Sequence, residues 1–125
     1  MAGVTLDTGA LIGIERGDRR LQALLDEASA AGADLAVPAG AVAQAWRGGT
    51  RQARLARFLR LAMVTVVALD EPEARAARAL CGHTRTADVI DASVVICARV
   101  RDHAVVSSDP NDLAALDPTL RIVAL

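Results

Sequence analysis

Short apolar runs alternate along the chain with longer stretches whose apolar residues recur at helical spacing. Strands that alternate with helices are typical of βαβ units, in which the strands run parallel. The predicted strands are Val4–Leu6, Leu35–Val37, Val64–Leu69, Ala104–Ser107 and Leu120–Leu125. The predicted helices are Thr8–Arg16, Arg19–Ala31, Gly40–Trp46, Gln52–Ala62, Glu71–Leu80, Ala87–Arg101 and Asn111–Leu116. The pattern predicts a single-domain α/β/α sandwich over residues 1–125, with a mostly parallel central sheet of about five strands.

Residues that favour helix starts and stops support these boundaries. Pro38 follows a predicted strand, Pro72 lies in the first turn of a helix, and Gly82 stands where that helix is expected to end. The strands are almost wholly apolar, as expected when helices cover both faces of a sheet.

The composition narrows the class of protein. Hydrophobic residues make up 53% of the chain and aromatic residues 2%, so the core is expected to consist of Ala, Val, Leu and Ile. No apolar run approaches the roughly 20 residues of a membrane span, and no secretion signal is visible, so we expect a cytoplasmic protein with no membrane contact. Cys81 and Cys97 are expected to be buried free thiols, and His83 and His103 surface residues.

The charged residues exclude one kind of chemistry. All 14 basic residues are Arg, although the net charge is only −1. With no Lys in the chain, any mechanism that needs a lysine is ruled out.

Several aspartates fall where a parallel sheet would bring them to one edge. Asp7 closes the first apolar run, Asp88 and Asp91 open a helix, and Asp109 follows the run that ends at Ser108. Ligands of open α/β sheets bind beyond the carboxyl ends of the strands, so these acids are expected to meet. Clustered carboxylates repel one another and need a cation, and oxygen ligands suit Mg²⁺ or Mn²⁺.

Each acid also has a structural explanation when taken singly. Asp7 and Asp88 could be helix N-caps, Asp109 could be a turn residue, and Asp112 could cap the short helix that follows. Asp91 is harder to explain, because it lies a turn inside an otherwise apolar helix, where an unpartnered carboxylate is unfavourable.

Two segments resemble a known family. The opening Val4–Ile12 is similar to the start of a PIN-domain ribonuclease, and Asp91–Ala98 followed by Val105–Leu113 is similar to its C-terminal half. The chain most resembles the short VapC-type toxins of bacterial toxin–antitoxin pairs. The resemblance implies a Mg²⁺-dependent endoribonuclease, with Mn²⁺ as a substitute ion, a cognate antitoxin that covers the active-site groove, and a homodimer.

The resemblance also assigns roles to residues. Asp7 and Asp91 would be the principal metal ligands and Asp109 would complete the acidic pocket. The auxiliary residues are the acid Asp112 and the hydrogen-bonding Ser107 and Ser108.

One position departs from the family pattern. Where the family supplies a Glu on the helix after the second strand, this chain has Gln44. An amide can ligate a metal through its oxygen or orient a water, but it cannot act as a base, so one tightly held ion is expected rather than two. The alternative is a catalytically silent PIN-like module that binds RNA or a protein.

RNA contacts are expected from Arg47, Arg51 and Arg54, because arginine pairs with phosphate through a forked pair of donors. The alternative is an ordinary solvated helix face. Trp46 could stack on a base, although a place in the core is the favoured interpretation.

Other enzyme classes with an Asp after the first strand fit less well. A haloacid-dehalogenase-like phosphatase would need an acid at the position of Gly9. Both that class and the phosphoryl-accepting receiver domains use a lysine, and this chain has none. No Gly-x-Gly-x-x-Gly motif follows a strand, which disfavours dinucleotide binding.

Overall fold

The computed structural model describes residues 3–125, apart from the side chain of Arg51. Its sheet has five strands, all paired in parallel, in the order β3-β2-β1-β4-β5. The strands are β1 (Gly3–Leu6), β2 (Asp34–Pro38), β3 (Val64–Val67), β4 (Ala104–Ser107) and β5 (Ile122–Ala124). The predicted α/β/α architecture with a parallel five-stranded sheet is confirmed.

Seven helices connect the strands and cover the sheet. They are α1 (Thr8–Arg16), α2 (Arg19–Ala30), α3 (Ala39–Ala45), α4 (Ala53–Leu59), α5 (Glu71–Thr84), α6 (Val89–Arg101) and α7 (Pro110–Leu116). A short 3-10 helix, Thr50–Gln52, precedes α4. Within residues 3–125, none of these helices combines the length and the apolar character that crossing a bilayer requires.

The core lies on both faces of the sheet. On one face, the fully buried Leu6 and Val37 pack with Leu11 of α1 and Leu55 of α4. On the other face, Val105 packs with residues of α5, α6 and α7, among them Cys81, Val94 and Leu113. Burial on both faces explains why β1, β2 and β4 are mostly apolar rather than alternating, whereas the edge strands β3 and β5 are largely exposed.

The main error in the predicted boundaries concerns α5. The helix was expected to end near Gly82 but continues to Thr84, where Arg85 adopts a left-handed conformation with φ 58° and its N–H is donated to the carbonyl of Cys81. Helices commonly end on a left-handed residue, and glycine is the usual one but not a required one.

The cysteine prediction is confirmed, and one of the two histidine predictions is wrong. Cys81 and Cys97 are buried free thiols. His83 is exposed as expected, but His103 is only 6% exposed and its Nδ1 lies 3.1 Å from the Thr5 hydroxyl. The parallel pairing of β1 with β4 places His103 against the start of β1, and this register is not visible in the sequence.

Candidate functional site

The largest concentration of acids lines a cavity of about 590 Å³ beyond the carboxyl ends of β1 and β4. From β1 the chain continues outward through β2 and β3 on one side, whereas β4 and β5 lie on the other side. Such a reversal of strand order is the usual ligand-binding position of an open α/β sheet. The predicted site residues that line this cavity are Asp7, Gln44, Asp91, Ser108, Asp109 and Asp112.

Asp7 serves as a helix cap and as part of this cavity. It is the N-cap of α1, where its Oδ1 accepts a hydrogen bond of 2.9 Å from the backbone N–H of Ala10. The residue is only 3% exposed. Burial raises the pKa of Asp7, and a hydrogen bond with Ser107 acts in the opposite direction. The helix cap accounts for the position of Oδ1. It does not account for the placement of so buried a carboxylate beside a cavity.

Asp91 lies in the first turn of α6, partly buried in the same cavity. Its pKa is raised to about 6, first by burial and then by the charges of Asp88, Asp112, Asp7 and Asp109. Asp88 is the N-cap of α6, as its structural explanation predicted, since its Oδ1 accepts 3.0 Å bonds from the N–H groups of Ile90 and Asp91. The acids therefore lie close enough to disfavour ionisation of Asp91.

The segment after β4 supplies the remaining polar groups. Ser107 is fully buried and its Oγ accepts a hydrogen bond of 2.8 Å from the N–H of Asp109. Ser108, Asp109 and Asp112 are exposed at the cavity. The structural explanation of Asp112 as the cap of α7 is wrong. Asp109 occupies the N-cap position, and Asp112 lies in the first turn of the helix.

Gln44 reaches the cavity from α3, as expected from its position after β2. The hydroxyl of Thr8 donates a hydrogen bond of 2.7 Å to its Oε1. The side chain is thus tied to the start of α1, directly beside Asp7. Gln44 provides a neutral polar group where an additional carboxylate would have added charge.

Several cavity residues were missed by the sequence interpretation. Gly9, Ile12, Gly13 and Arg16 line the cavity at helical spacing, so one stripe of α1 forms its wall. Projection of α1 on a helical wheel from Asp7 could have found this stripe, but its glycines carry no chemistry and Arg16 was not singled out.

The donor set suits a hydrated divalent cation. Among the described residues, no three His, Cys, Asp or Glu side chains form a ready-made metal cage. The acids that share the cavity nevertheless offer only oxygen, and Mg²⁺ prefers oxygen ligands, retains several waters and often needs only one or two protein carboxylates. The residues present therefore fit an ion held partly through water.

Two of the three residues expected to contact RNA lie beside this cavity. Arg47 and Arg54 line a neighbouring pocket of about 440 Å³, while the side chain of Arg51 lies outside the described part of the chain. Trp46 is 45% exposed, so its predicted place in the core is wrong. Helix α3 ends at Ala45, and Trp46 begins the extended segment that leaves it, so its ring is not on the buried helix face.

Comparison with known proteins identifies the fold. The family model of the PIN domain matches residues 4–117. No curated protein matches the chain. Among solved structures, the chain is similar to a toxin–antitoxin complex from Klebsiella pneumoniae, with 17% identity and a TM-score of 0.72 over 98% of this chain and 97% of that chain.

Two further solved structures are similar. FitAcB from Neisseria gonorrhoeae is 18% identical, with a TM-score of 0.67 over 95% of each chain. FitAB bound to an IR36 DNA fragment is 17% identical, with a TM-score of 0.67 over 97% of this chain and 94% of that chain. At these identities the likeness establishes the fold.

Proposed function

The chain belongs to the PIN domain family, whose members are generally nucleases, and from this premise we propose that it is a metal-dependent endoribonuclease. The observation that carries the proposal is the acidic cavity, in which Asp7, Asp91, Asp109 and Asp112 meet where β1 and β4 end. Burial first, and then the neighbouring carboxylates, raise the pKa of Asp91, which is the electrostatic setting that a divalent cation relieves.

Asp7, Asp91 and Asp109 are the proposed ligands of Mg²⁺, with Mn²⁺ as a substitute, and at least one of the three holds the ion through a bound water. When bound, the ion supplies a more acidic water and neutralises charge on the phosphate. Asp7 is held in place by its cap bond to Ala10, and Asp91 by its place in the first turn of α6. Both ligands are therefore on rigid elements before any substrate arrives.

The exposed acids Asp109 and Asp112 are proposed to position the water that attacks the phosphate. Asp109 and Asp112 would accept hydrogen bonds from this water. As its oxygen bonds to phosphorus and the bond to the leaving ribose oxygen breaks, the carboxylates take its proton and the leaving oxygen takes one from solvent. Ser107 orients this segment through its bond with the N–H of Asp109, and Ser108 adds a hydroxyl at the cavity. Gln44 remains tied to Thr8 and acts as a neutral hydrogen-bonding group.

We further propose that residues 1–125 form one PIN-like nuclease domain that acts in the cytoplasm as the toxin of a toxin–antitoxin pair. Two observations support this role: a structure of this fold is described as a toxin–antitoxin complex, and the acidic cavity is open to a covering segment from a partner. An antitoxin and a second copy of the chain are the proposed protein partners.

Calorimetric titration with MgCl₂ or MnCl₂, together with an RNA cleavage assay, tests the proposed function. We expect saturable binding of the ion and cleavage of single-stranded RNA that stops when EDTA is added. Glu71→Gln is a suitable control, since it removes an acid from an exposed ion pair with Arg75 on α5. Metal binding no stronger than millimolar background, with no cleavage, would favour the silent binding module instead.

Replacing Gln44 by Glu is expected to tighten Mg²⁺ binding by about tenfold. The change adds one carboxylate to the cavity, and one favourable charge interaction near a protein surface contributes on the order of 1–4 kcal/mol. The Thr8 hydroxyl can donate to Glu as it does to Gln. Calorimetry measures the effect, and Gln22→Glu on the exposed face of α2 adds the same charge elsewhere. Equal affinities of Gln44→Glu and the parent would show that Gln44 lies outside the ion's reach.

A further inference from the structure

A second pocket, of about 440 Å³, adjoins the acidic cavity. Its lining residues are Ile12, Glu15, Arg16, Arg47, Gly48 and Arg54, and we call it the arginine pocket. Ile12 and Arg16 line both spaces, so the two adjoin along α1. Since Gly9 and Arg16 are seven residues apart on this helix, the arginine end lies about 10 Å along the axis from the acidic end.

The arginine pocket has an excess of positive charge. Among the described residues, three ion pairs are formed, and Arg16, Arg47 and Arg54 take part in none of them. Glu15 is the acid that lines the pocket, and its Oε1 already accepts a hydrogen bond from the side-chain amide of Gln52. Three guanidinium groups around one space repel one another, and an anion bound between them would relieve that repulsion.

The pocket is held in shape before a ligand binds. Gln52 is only 1% exposed, and its Oε1 accepts a hydrogen bond of 2.7 Å from the backbone N–H of Arg47 while its amide donates to Glu15. This bridge fixes the segment that carries Arg47 to α1. On the other side, the guanidinium of Arg54 lies against Gly17, where an added Cβ would be 2.6 Å from Nη1.

We propose that the arginine pocket binds a backbone phosphate of the RNA strand that flanks the phosphate cleaved in the acidic cavity. Arginine presents forked donors that match phosphate oxygens, and the pocket adjoins the proposed cleavage site through Ile12 and Arg16. The strand would follow the stripe of α1 from the half-buried Gly9 to the exposed Arg16. This inference rests on the proposed function, because it takes the nuclease substrate as the ligand.

The first test measures binding of a fluorescein-labelled single-stranded RNA of about ten nucleotides, without metal, over a series of salt concentrations. For Arg54→Gln or Arg47→Gln we expect weaker binding and a slope of log K against log salt that is smaller by about 0.7, the value for one lost phosphate contact on a single strand. Arg75→Gln on α5 is the control and should bind as the parent does. Melting temperatures verify that each variant is folded.

The second test uses an RNA whose cleaved bond has been mapped, with a single uncharged methylphosphonate linkage placed in turn on each side of that bond. One flanking linkage should raise KM for the parent several-fold and have no further effect on Arg54→Gln. An unchanged salt slope together with equal sensitivity of parent and variant at every linkage would overturn the proposal.

The outcomes separate this inference from the proposed function. If cleavage requires metal and Asp91 while the arginine variants bind RNA normally, only the phosphate pocket is wrong. If no cleavage occurs but the arginine variants lose RNA affinity, the pocket stands and the nuclease assignment fails. A loss of affinity for a glutamate-rich peptide but not for RNA would instead show an acidic protein partner and would overturn the proposal.

Discussion

Asp91→Asn is expected to abolish cleavage and, at the same time, to make the metal-free protein more stable at pH 7. The two effects have one cause, since Asp91 is placed where its charge is unfavourable until a cation arrives. We expect activity to fall by more than about 100-fold, because even outer-shell partners of a bound metal contribute roughly 10- to 100-fold.

The sign of the stability effect follows from the raised pKa. The pKa of Asp91 in the folded protein is about 6, against an ordinary value of 3.8, so the folded state favours the protonated acid. The penalty for ionised Asp91 is absent below about pH 4, grows as the pH rises and is complete above about pH 6. Asparagine cannot ionise, so the variant avoids the penalty at pH 7 and should lose its advantage towards pH 4.

The size of this effect is modest, because Asp91 is only partly buried and solvent screens its charge. A gain of about 1 kcal/mol is expected, which corresponds to a melting temperature higher by about 4 °C for a domain of this size. Thermal unfolding at pH 7 and pH 4.5 in EDTA measures it. With MgCl₂ present, the melting temperature of the parent should rise and that of Asp91→Asn should change little.

Two further variants complete the experiment. Asp7→Asn should also lose activity without loss of the helix cap, because Asn caps as well as Asp does. Asp70→Asn is its matched control, since Asp70 caps α5 through the same bond to a backbone N–H and lies outside the cavity. Full cleavage by Asp91→Asn, or a lower melting temperature in EDTA, would contradict the assignment of Asp91 as an ionised ligand.

The sheet and the positions of the acids could be predicted because both are patterns along the chain. A parallel strand buried on both faces is a short apolar run, and an acid directly after it reaches the carboxyl edge in any such fold. Asp7 and Asp109 follow this rule, and Asp91 was identified by its conflict with the apolar helix around it. Gln44 was placed only through the family resemblance.

Other features depend on how elements pack, which the sequence does not display. The burial of His103 follows from the register of β1 with β4, and the exposure of Trp46 follows from the residue at which α3 ends. The position of the Arg54 guanidinium depends on Gly17 of a different segment, against which it lies. Gly9 is the clearest example of a feature that depends on packing, because a side chain at this position would collide with Ser108.

Gly9→Ala is expected to reduce cleavage by about 100-fold with little change in stability. Gly9 follows Thr8 at the start of α1, and a Cβ built on it would overlap the Ser108 hydroxyl and lie 3.0 Å from the Ser108 Cβ. Asp7 Oδ1 would be 3.6 Å away, so the added methyl group stands between the ends of β1 and β4. The contact with Asp7 is an ordinary van der Waals distance, so the Ser108 hydroxyl has to turn away and the segment that carries Ser108 and Asp109 has to shift.

Opposing contributions keep the stability change small. Alanine is favoured over glycine within a helix by about 1 kcal/mol, whereas overpacking costs about 1–3 kcal/mol. Activity has no such compensation, because a displacement of about 1 Å at a catalytic site reduces rates by roughly 100-fold. Cleavage rates, calorimetric Mg²⁺ titration and thermal unfolding of parent and variant measure the three quantities.

A second substitution identifies the contact responsible. Ser108→Gly removes both atoms that the added methyl group would strike. In the Ser108→Gly background, Gly9→Ala should therefore reduce the cleavage rate at least tenfold less than it does in the parent. Ser108→Ala keeps the Cβ at 3.0 Å and should restore less. Equal recovery of cleavage with Ser108→Gly and with Ser108→Ala would place the conflict at the Ser108 hydroxyl alone. Normal cleavage by the Gly9→Ala single variant would show that the ends of β1 and β4 can separate without disturbing the acids. Recovery with Ser108→Gly only would show that the close approach of α1 and the Ser108 segment sets the geometry of the acidic cavity.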